Sequence, residues 1–81
     1  MTIKEFEDRV TEIGMVDSPY LTPAQVAPVL GWTPQYVRIK AREEPGAFPF
    51  PVMVRGNRAS FPKVDVLKWC RIYLKGLKEA G

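Results

Sequence analysis

Two Thr-Pro pairs in the first half of the chain constrain where two helices can begin. Threonine is a favourable helix N-cap, and proline suits the first helical position because its missing N–H would have no helical partner there. Thr22-Pro23 therefore predicts the start of one helix, and Thr33-Pro34 predicts the start of another. Gly31 lies between them, where it can end the first of these helices. The pattern predicts two short helices joined by a tight turn, as in a helix-turn-helix.

A further helix is predicted near the N-terminus. Thr2 and Glu5 have the spacing of a capping box, and apolar residues then recur on one helical face until Gly14. We expect an amphipathic helix and its connector in residues 1–19, added to a compact domain formed by residues 20–76.

Pro28 is unexpected within the helix that begins at Pro23. It should shorten or distort that helix, because it lacks an N–H and its ring clashes with the preceding turn. The following helix is expected to run from Pro34 to Arg42.

The second half of the chain predicts a hairpin followed by a long helix. A stiff loop with three prolines spans residues 43–51, and two short strands are expected at residues 52–55 and 59–61. Gly56-Asn57 suits the tight turn between them, because both residue types tolerate positive φ. A last helix should cover residues 63–76. The expected fold class is mostly α with a small β-hairpin.

The last helix is apolar around much of its circumference, which one core-facing stripe does not require. It is either sandwiched between the helix-turn-helix and the N-terminal helix, or part of a dimer surface; the sandwich is favoured. The core is expected to contain Cys70 as a small apolar residue, Trp32 as a plug, and Phe48 and Phe50 as anchors of the proline-rich loop. The other expected core residues are Val26, Leu30, Val37, Phe61, Trp69 and Tyr73.

Composition argues against most catalytic and metal-binding functions. The 81 residues include one cysteine and no histidine, so no intramolecular disulfide can form and a zinc site would lack its usual ligands. We therefore expect that the protein is not an enzyme and that it binds no metal ion and no cofactor. No segment has the length and apolarity of a membrane span, and residues 1–9 are too charged for a signal peptide, so a cytoplasmic location is expected.

The charge is distributed unevenly along the chain. The net charge of residues 1–18 is −3, residues 19–33 carry no charge, residues 34–63 carry +4, and residues 64–81 carry +2. A basic body after an acidic N-terminal segment favours a polyanionic partner. The acidic segment would repel DNA, so we expect it to lie away from a bound duplex.

The segments YLTPAQVAPVLGWTPQYV and VRGNRASFPKVDVLKW, within residues 20–69, resemble a known family. They are similar to the small excisionase and AlpA-like DNA-binding proteins of phages and mobile elements, which are related to MerR-type headpieces. The shared features, in order, are Leu21, Thr22, Val26, Ala27, Leu30, Gly31, Thr33, Val37, Gly56, Arg58, Pro62, Asp65 and Trp69.

The resemblance implies a winged helix-turn-helix, here with an extra N-terminal helix, that binds double-stranded DNA. It implies either an excisionase that bends DNA and assists an integrase, or a transcriptional regulator. A domain this small makes few base contacts, so cooperative self-association on DNA is expected.

Ten residues are predicted to contact DNA. Gln35 and Arg38 are the candidates for base contact, since Gln can pair with adenine and Arg with guanine. Tyr36 either contacts phosphate or packs on Trp32, and Arg58 matches the wing arginine of the family. The recognition-helix set is Thr33, Gln35, Tyr36, Arg38, Lys40 and Arg42, and the wing set is Arg55, Asn57, Arg58 and Ser60.

An alternative hypothesis is a protein-interaction module that has the winged fold without DNA binding. Its working surfaces would be the acidic helix at residues 2–14, the last helix, and the loop at residues 48–51.

Overall fold

The computed structural model describes residues 1–80, which form a mostly helical fold with a small antiparallel sheet. The helices are α1 (Ile3–Gly14), α2 (Pro23–Leu30), α3 (Pro34–Glu43), a short 3-10 helix (Pro45–Ala47) and α4 (Lys63–Ala80). The strands are β1 (Tyr20–Leu21), β2 (Met53–Arg55) and β3 (Arg58–Pro62). The predicted fold class, mostly α with a hairpin, agrees with this architecture.

The sheet has one strand more than the sequence predicts. Its order is β1-β3-β2, with β3 in the middle and both neighbours antiparallel to it. Tyr20 pairs with Pro62 and Leu21 with Phe61, although the sequence predicts no strand at these two residues. Two residues are too few to show the alternation that marks a strand, and β1 exists because β3 supplies its hydrogen-bonding partners.

The starts of the helices are set by the predicted caps. Thr2 and Thr22 each accept a hydrogen bond from the backbone N–H three residues later, and both complete capping boxes, with Glu5 and Gln25. Gly31 ends α2 at a φ of 72°, a left-handed conformation that glycine adopts without steric cost. Local sequence therefore accounts for most helix boundaries.

The predicted end of α4 is wrong. The helix continues through Gly76 to Ala80, because Lys78 reaches Glu7 of α1 with 3.4 Å between ammonium nitrogen and carboxylate oxygen. Partial burial of Leu77 also supports the last turns. A glycine inside a helix costs only about 1 kcal/mol relative to alanine, so Gly76 alone does not end the helix.

Pro28 lies within α2, but the helix continues past it to Leu30. Its carbonyl is one of the last four of the helix, which lack intrahelical donors. The Nη1 atom of Arg9 in α1 donates to this oxygen at 2.8 Å. The contact attaches α1 to the end of α2.

Lys63 joins the end of α1 to the start of α4. Its Nζ donates to the carbonyl of Val16 at 2.6 Å and to that of Gly14 at 3.5 Å, and its backbone N–H donates to Pro19 at 2.9 Å. A cation at the C-terminal carbonyls of a helix is favourable because of the helix dipole. Together with the Lys78–Glu7 ion pair, these bonds fix α1 and α4 as an antiparallel pair.

A chain of aromatic rings runs through the core from the α2–α3 turn to α4. Trp32 contacts Phe48 with 5.6 Å between ring centroids, and Phe48 contacts Phe61 at 5.2 Å. Phe50 contacts Phe61 and then Trp69, each at 5.7 Å, in edge-to-face geometry. The prediction that Phe48 and Phe50 anchor the proline-rich loop is confirmed, since both are buried.

Most of the predicted core residues are buried, with one clear exception. Tyr73 is 46% exposed, so its placement in the core is wrong. It stacks on Trp69 at 5.1 Å and contacts Phe6 at 5.2 Å, which covers only part of its ring. Cys70 is fully buried as predicted, and burial raises the pKa of its thiol to about 11. Val26, Val37 and Phe61 are buried, whereas Leu30 and Trp69 are partly buried against the core.

The long helix α4 is covered on one side only. It packs mainly against α1 and β3. The sequence predicts that α4 is sandwiched between α1 and the helix-turn-helix, but in the structure β3 takes the position predicted for the helix-turn-helix. Val64 and Ile72 on its outer side are 76% and 64% exposed. This outer side explains why α4 carries more apolar residues than its buried stripe requires.

Replacement of Phe50 by alanine tests the aromatic chain. We expect Phe50→Ala to lower the free energy of unfolding by about 3–5 kcal/mol, because it removes a buried ring that contacts three others. Ile72→Ala is the matched control, since Ile72 is exposed and should change stability by no more than about 0.5 kcal/mol. Urea denaturation followed by circular dichroism measures both. If the two variants unfold at the same urea concentration, Phe50 has no central role in stability.

Candidate nucleic-acid interface

The outward face of α3 is defined by the two residues that it buries. Val37 and Ala41 are buried against the rest of the protein. With about 100° between successive residues, Gln35, Arg38 and Arg42 fall together on one flank of the exposed surface. All three are exposed. These three predicted residues therefore share one side of the helix.

The β2–β3 hairpin lies directly beside this flank. One small cleft, called here the hairpin cleft, is lined by both Arg38 and Arg42 and by the turn residues Gly56, Asn57 and Arg58. Gly56 has a φ of 56°, whereas Asn57 does not have positive φ. Only Gly56, of the two central residues of the turn, therefore adopts the positive φ that both residue types tolerate. The turn places the hairpin tip beside α3.

The opposite face of the hairpin carries the remaining predicted residues. Side chains alternate along a strand, so Arg55 and Ser60 share the face that Met53 and Tyr20 also line. This set of four residues is called here the outer hairpin face. Arg58 borders both this face and the hairpin cleft. Among the predicted residues, Arg58 is the one that lines both.

The guanidiniums near the hairpin have no carboxylate partner among residues 1–80. Arg55 and Arg58 are directly opposite each other across the turn, a placement in which like charges repel. None of the ion pairs formed within residues 1–80 includes Arg38, Arg42, Arg55 or Arg58. The protein concentrates positive charge here without neutralising it.

Other predicted contact residues are already used within the protein. Thr33 is the N-cap of α3, and its hydroxyl accepts from the backbone N–H of Tyr36 at 3.1 Å. Tyr36 packs edge-to-face on Trp32 at 5.0 Å, the second of the two roles considered for it. Lys40 pairs with Glu44 at 3.2 Å, a hydrogen bond that raises the pKa of the lysine, and its Nζ lies 5.6 Å from the Tyr36 ring centroid.

The acidic face of α1 lies near the start of α3. Glu5, Asp8 and Glu12 line an open cleft together with Trp32 and Pro34, and no hairpin residue lines it. The Thr2 capping box lowers the pKa of Glu5, because its hydrogen bonds favour the ionised carboxylate. The surface therefore has a negative region at one end of α3 and a positive one beside the hairpin.

Four exposed apolar or aromatic residues at this surface are absent from the predicted site: Ile39, Tyr20, Met53 and Val54, the last of which lines the hairpin cleft. Ile39 could have been found from sequence, because it lies midway between the inward-facing Val37 and Ala41. Tyr20 and Met53 could not, because their position depends on the pairing of β1 with β3.

Two kinds of feature are absent from residues 1–80. No group of three His, Cys, Asp or Glu side chains there is placed to hold a metal ion. No helix in the same range has the length and apolarity needed to cross a membrane.

Comparisons of the chain with protein-family models, curated proteins and solved structures found no match. A function for this site must therefore be argued from its own residues.

Proposed function

We propose that this protein binds double-stranded DNA as a winged helix-turn-helix. In this proposal α2 and α3 are the helix-turn-helix, α3 is the recognition helix, and the β2–β3 hairpin is the wing. The resemblance to excisionase and AlpA-like proteins supports the same function.

The observation that carries the proposal is a group of four guanidiniums around one hairpin that form no ion pair within residues 1–80. Arg55 and Arg58 face each other across the turn, and Arg38 and Arg42 approach the same turn from α3. The like charges of Arg55 and Arg58 repel each other across the turn, so an anion bound between them would be favourable. A phosphate backbone supplies regularly spaced anions, and arginine binds phosphate with two parallel hydrogen bonds.

The fold gives this charge a geometry that suits a duplex. A single α-helix fits the major groove of B-DNA, where base edges differ in their donors and acceptors. Strand β1 precedes α2 directly and pairs with β3, so the wing is attached to the base of the helix-turn-helix. With α3 in the major groove, the wing is positioned to contact adjacent backbone or the minor groove.

The acidic face of α1 limits where the duplex can lie. Glu5, Asp8 and Glu12 would repel phosphates near the N-terminal end of α3, whereas the hairpin side attracts them. The footprint should therefore extend from α3 toward the wing rather than toward α1.

The biological task within this proposal is excision, with promoter control as the alternative. An excisionase would bend DNA, associate with further copies on neighbouring sites and assist an integrase. A transcriptional regulator would use the same contacts. Binding of an integrase on the same DNA fragment would distinguish these roles, because only excision requires it.

Arg58→Ala tests the wing. We expect it to weaken binding to all duplexes by about tenfold at low salt, since one charge-assisted phosphate contact is worth about 1.5 kcal/mol. It should also reduce the slope of log affinity against log salt by about one. Mobility-shift titrations over a range of salt measure both effects.

Lys68→Ala is the matched control for the wing. Lys68 is an exposed cation on α4 and, within residues 1–80, takes part in no ion pair. It should leave affinity and salt slope nearly unchanged. Equal losses for both variants would mean that net charge, and not the wing, determines binding.

Gln35→Ala tests the base-reading face of α3. Gln35 is exposed near the helix start, where recognition helices contact bases. We expect a changed sequence preference at one position, with little change in the salt slope. Selection from a randomised duplex library by wild type and variant measures this. Identical selected sequences would remove Gln35 from base recognition.

The second candidate is a protein-interaction module, favoured by the exposed outer side of α4. Val64 and Ile72 are exposed apolar side chains there, each one helical turn from the exposed Lys68. Failure of the wild-type protein to retard any duplex at low salt would reject DNA binding and favour this alternative.

A further inference from the structure

We infer that Ile39 contacts the C5-methyl group of a thymine, so that the bound site contains a required T·A pair opposite the middle of α3. This inference rests on the proposed DNA binding, and it adds a specificity-determining residue to it.

The position of Ile39 on the helix is the first argument. It lies two residues from both Val37 and Ala41, which are buried. At about 100° per residue it is about 200° from each of them, so it points almost directly away from the core. Its 43% exposure agrees with this direction. If α3 enters the major groove, Ile39 is therefore the residue that enters it most deeply.

The residues around Ile39 argue against a protein-docking surface at this position. Arg38 and Lys40 precede and follow it, and Gln35 lies one turn earlier on nearly the same face. The exposed Glu43 lies one turn later, and Tyr36, whose ring packs on Trp32, lies three residues earlier. A single aliphatic side chain among these mostly charged and polar groups offers little area to a protein partner, whose contact surface requires a larger apolar centre.

The chemistry of the major groove selects the base. Guanine, cytosine and adenine present polar donors and acceptors there, whereas thymine adds an apolar methyl group. An isoleucine against polar edges would desolvate them without providing hydrogen bonds. Against a thymine methyl it buries apolar surface on both partners. Gln35 on the same face can pair with adenine, so the two residues together favour A·T pairs.

Deoxyuridine provides the test, because it pairs like thymine and lacks only the methyl group. A preferred duplex is selected with the wild-type protein, and each thymine is then replaced in turn. We expect at least one replacement to weaken wild-type binding about fourfold, the effect of one buried methyl group. Ile39→Ala should bind the unmodified duplex more weakly and should not distinguish thymine from deoxyuridine at that position.

Ile72→Ala is the matched control, since it removes the same atoms from an exposed isoleucine on α4. It should respond to deoxyuridine as the wild type does. Titrations are made at a salt concentration where all three proteins bind, and circular dichroism confirms that each variant is folded.

Three outcomes would overturn the inference. If the wild type retards duplex DNA but no deoxyuridine replacement weakens it, Ile39 contacts no thymine methyl. If Ile39→Ala keeps the wild-type sensitivity, another residue reads the methyl group. If the wild type binds no duplex at any salt concentration, the proposed function fails and this inference fails with it.

Discussion

The contacts of Phe50 with Phe61 and Trp69 hold the parts of this protein together. Each pair of rings is 5.7 Å apart in edge-to-face geometry, and the three residues come from the proline-rich loop, the middle of the sheet and the long helix. A chain this short has little core from which to gain stability, so aromatic residues that each bury a large area supply much of it. Phe48 extends the same contacts to Trp32 in the α2–α3 turn.

These contacts also determine the geometry of the proposed DNA-binding surface. Phe61 is fully buried on β3, the strand that begins at Arg58. Anchoring β3 in the core therefore positions the hairpin tip relative to α3. The arginines themselves make no ion pairs within residues 1–80. Rigid positioning by a buried strand and unpaired charge at the tip are the two properties expected of a wing that binds phosphate.

Sequence reasoning succeeded where structure depends on neighbours along the chain. Thr2, Thr22 and Gly31 act locally, so the helix boundaries that they set were predictable. Contacts distant in sequence were not: β1 exists because of β3, and the last turn of α4 is held by Glu7 of α1. The same holds for the candidate site. Helical periodicity places Gln35, Arg38 and Arg42 on one flank of α3. The ion pair between Lys40 and Glu44 and the position of Arg58 between the hairpin cleft and the outer hairpin face were found only in the structure.

The central claim is that α3 and the hairpin form one DNA-binding surface from which α1 and α4 are excluded. Titration of the ¹⁵N-labelled protein with duplex DNA, followed by amide chemical shifts, tests this residue by residue. The account predicts the largest shifts within residues 33–43 and 53–60, with residues 3–14 and 64–80 nearly unchanged. Shifts concentrated on α1 or the outer side of α4, or no shifts at low salt, would contradict it.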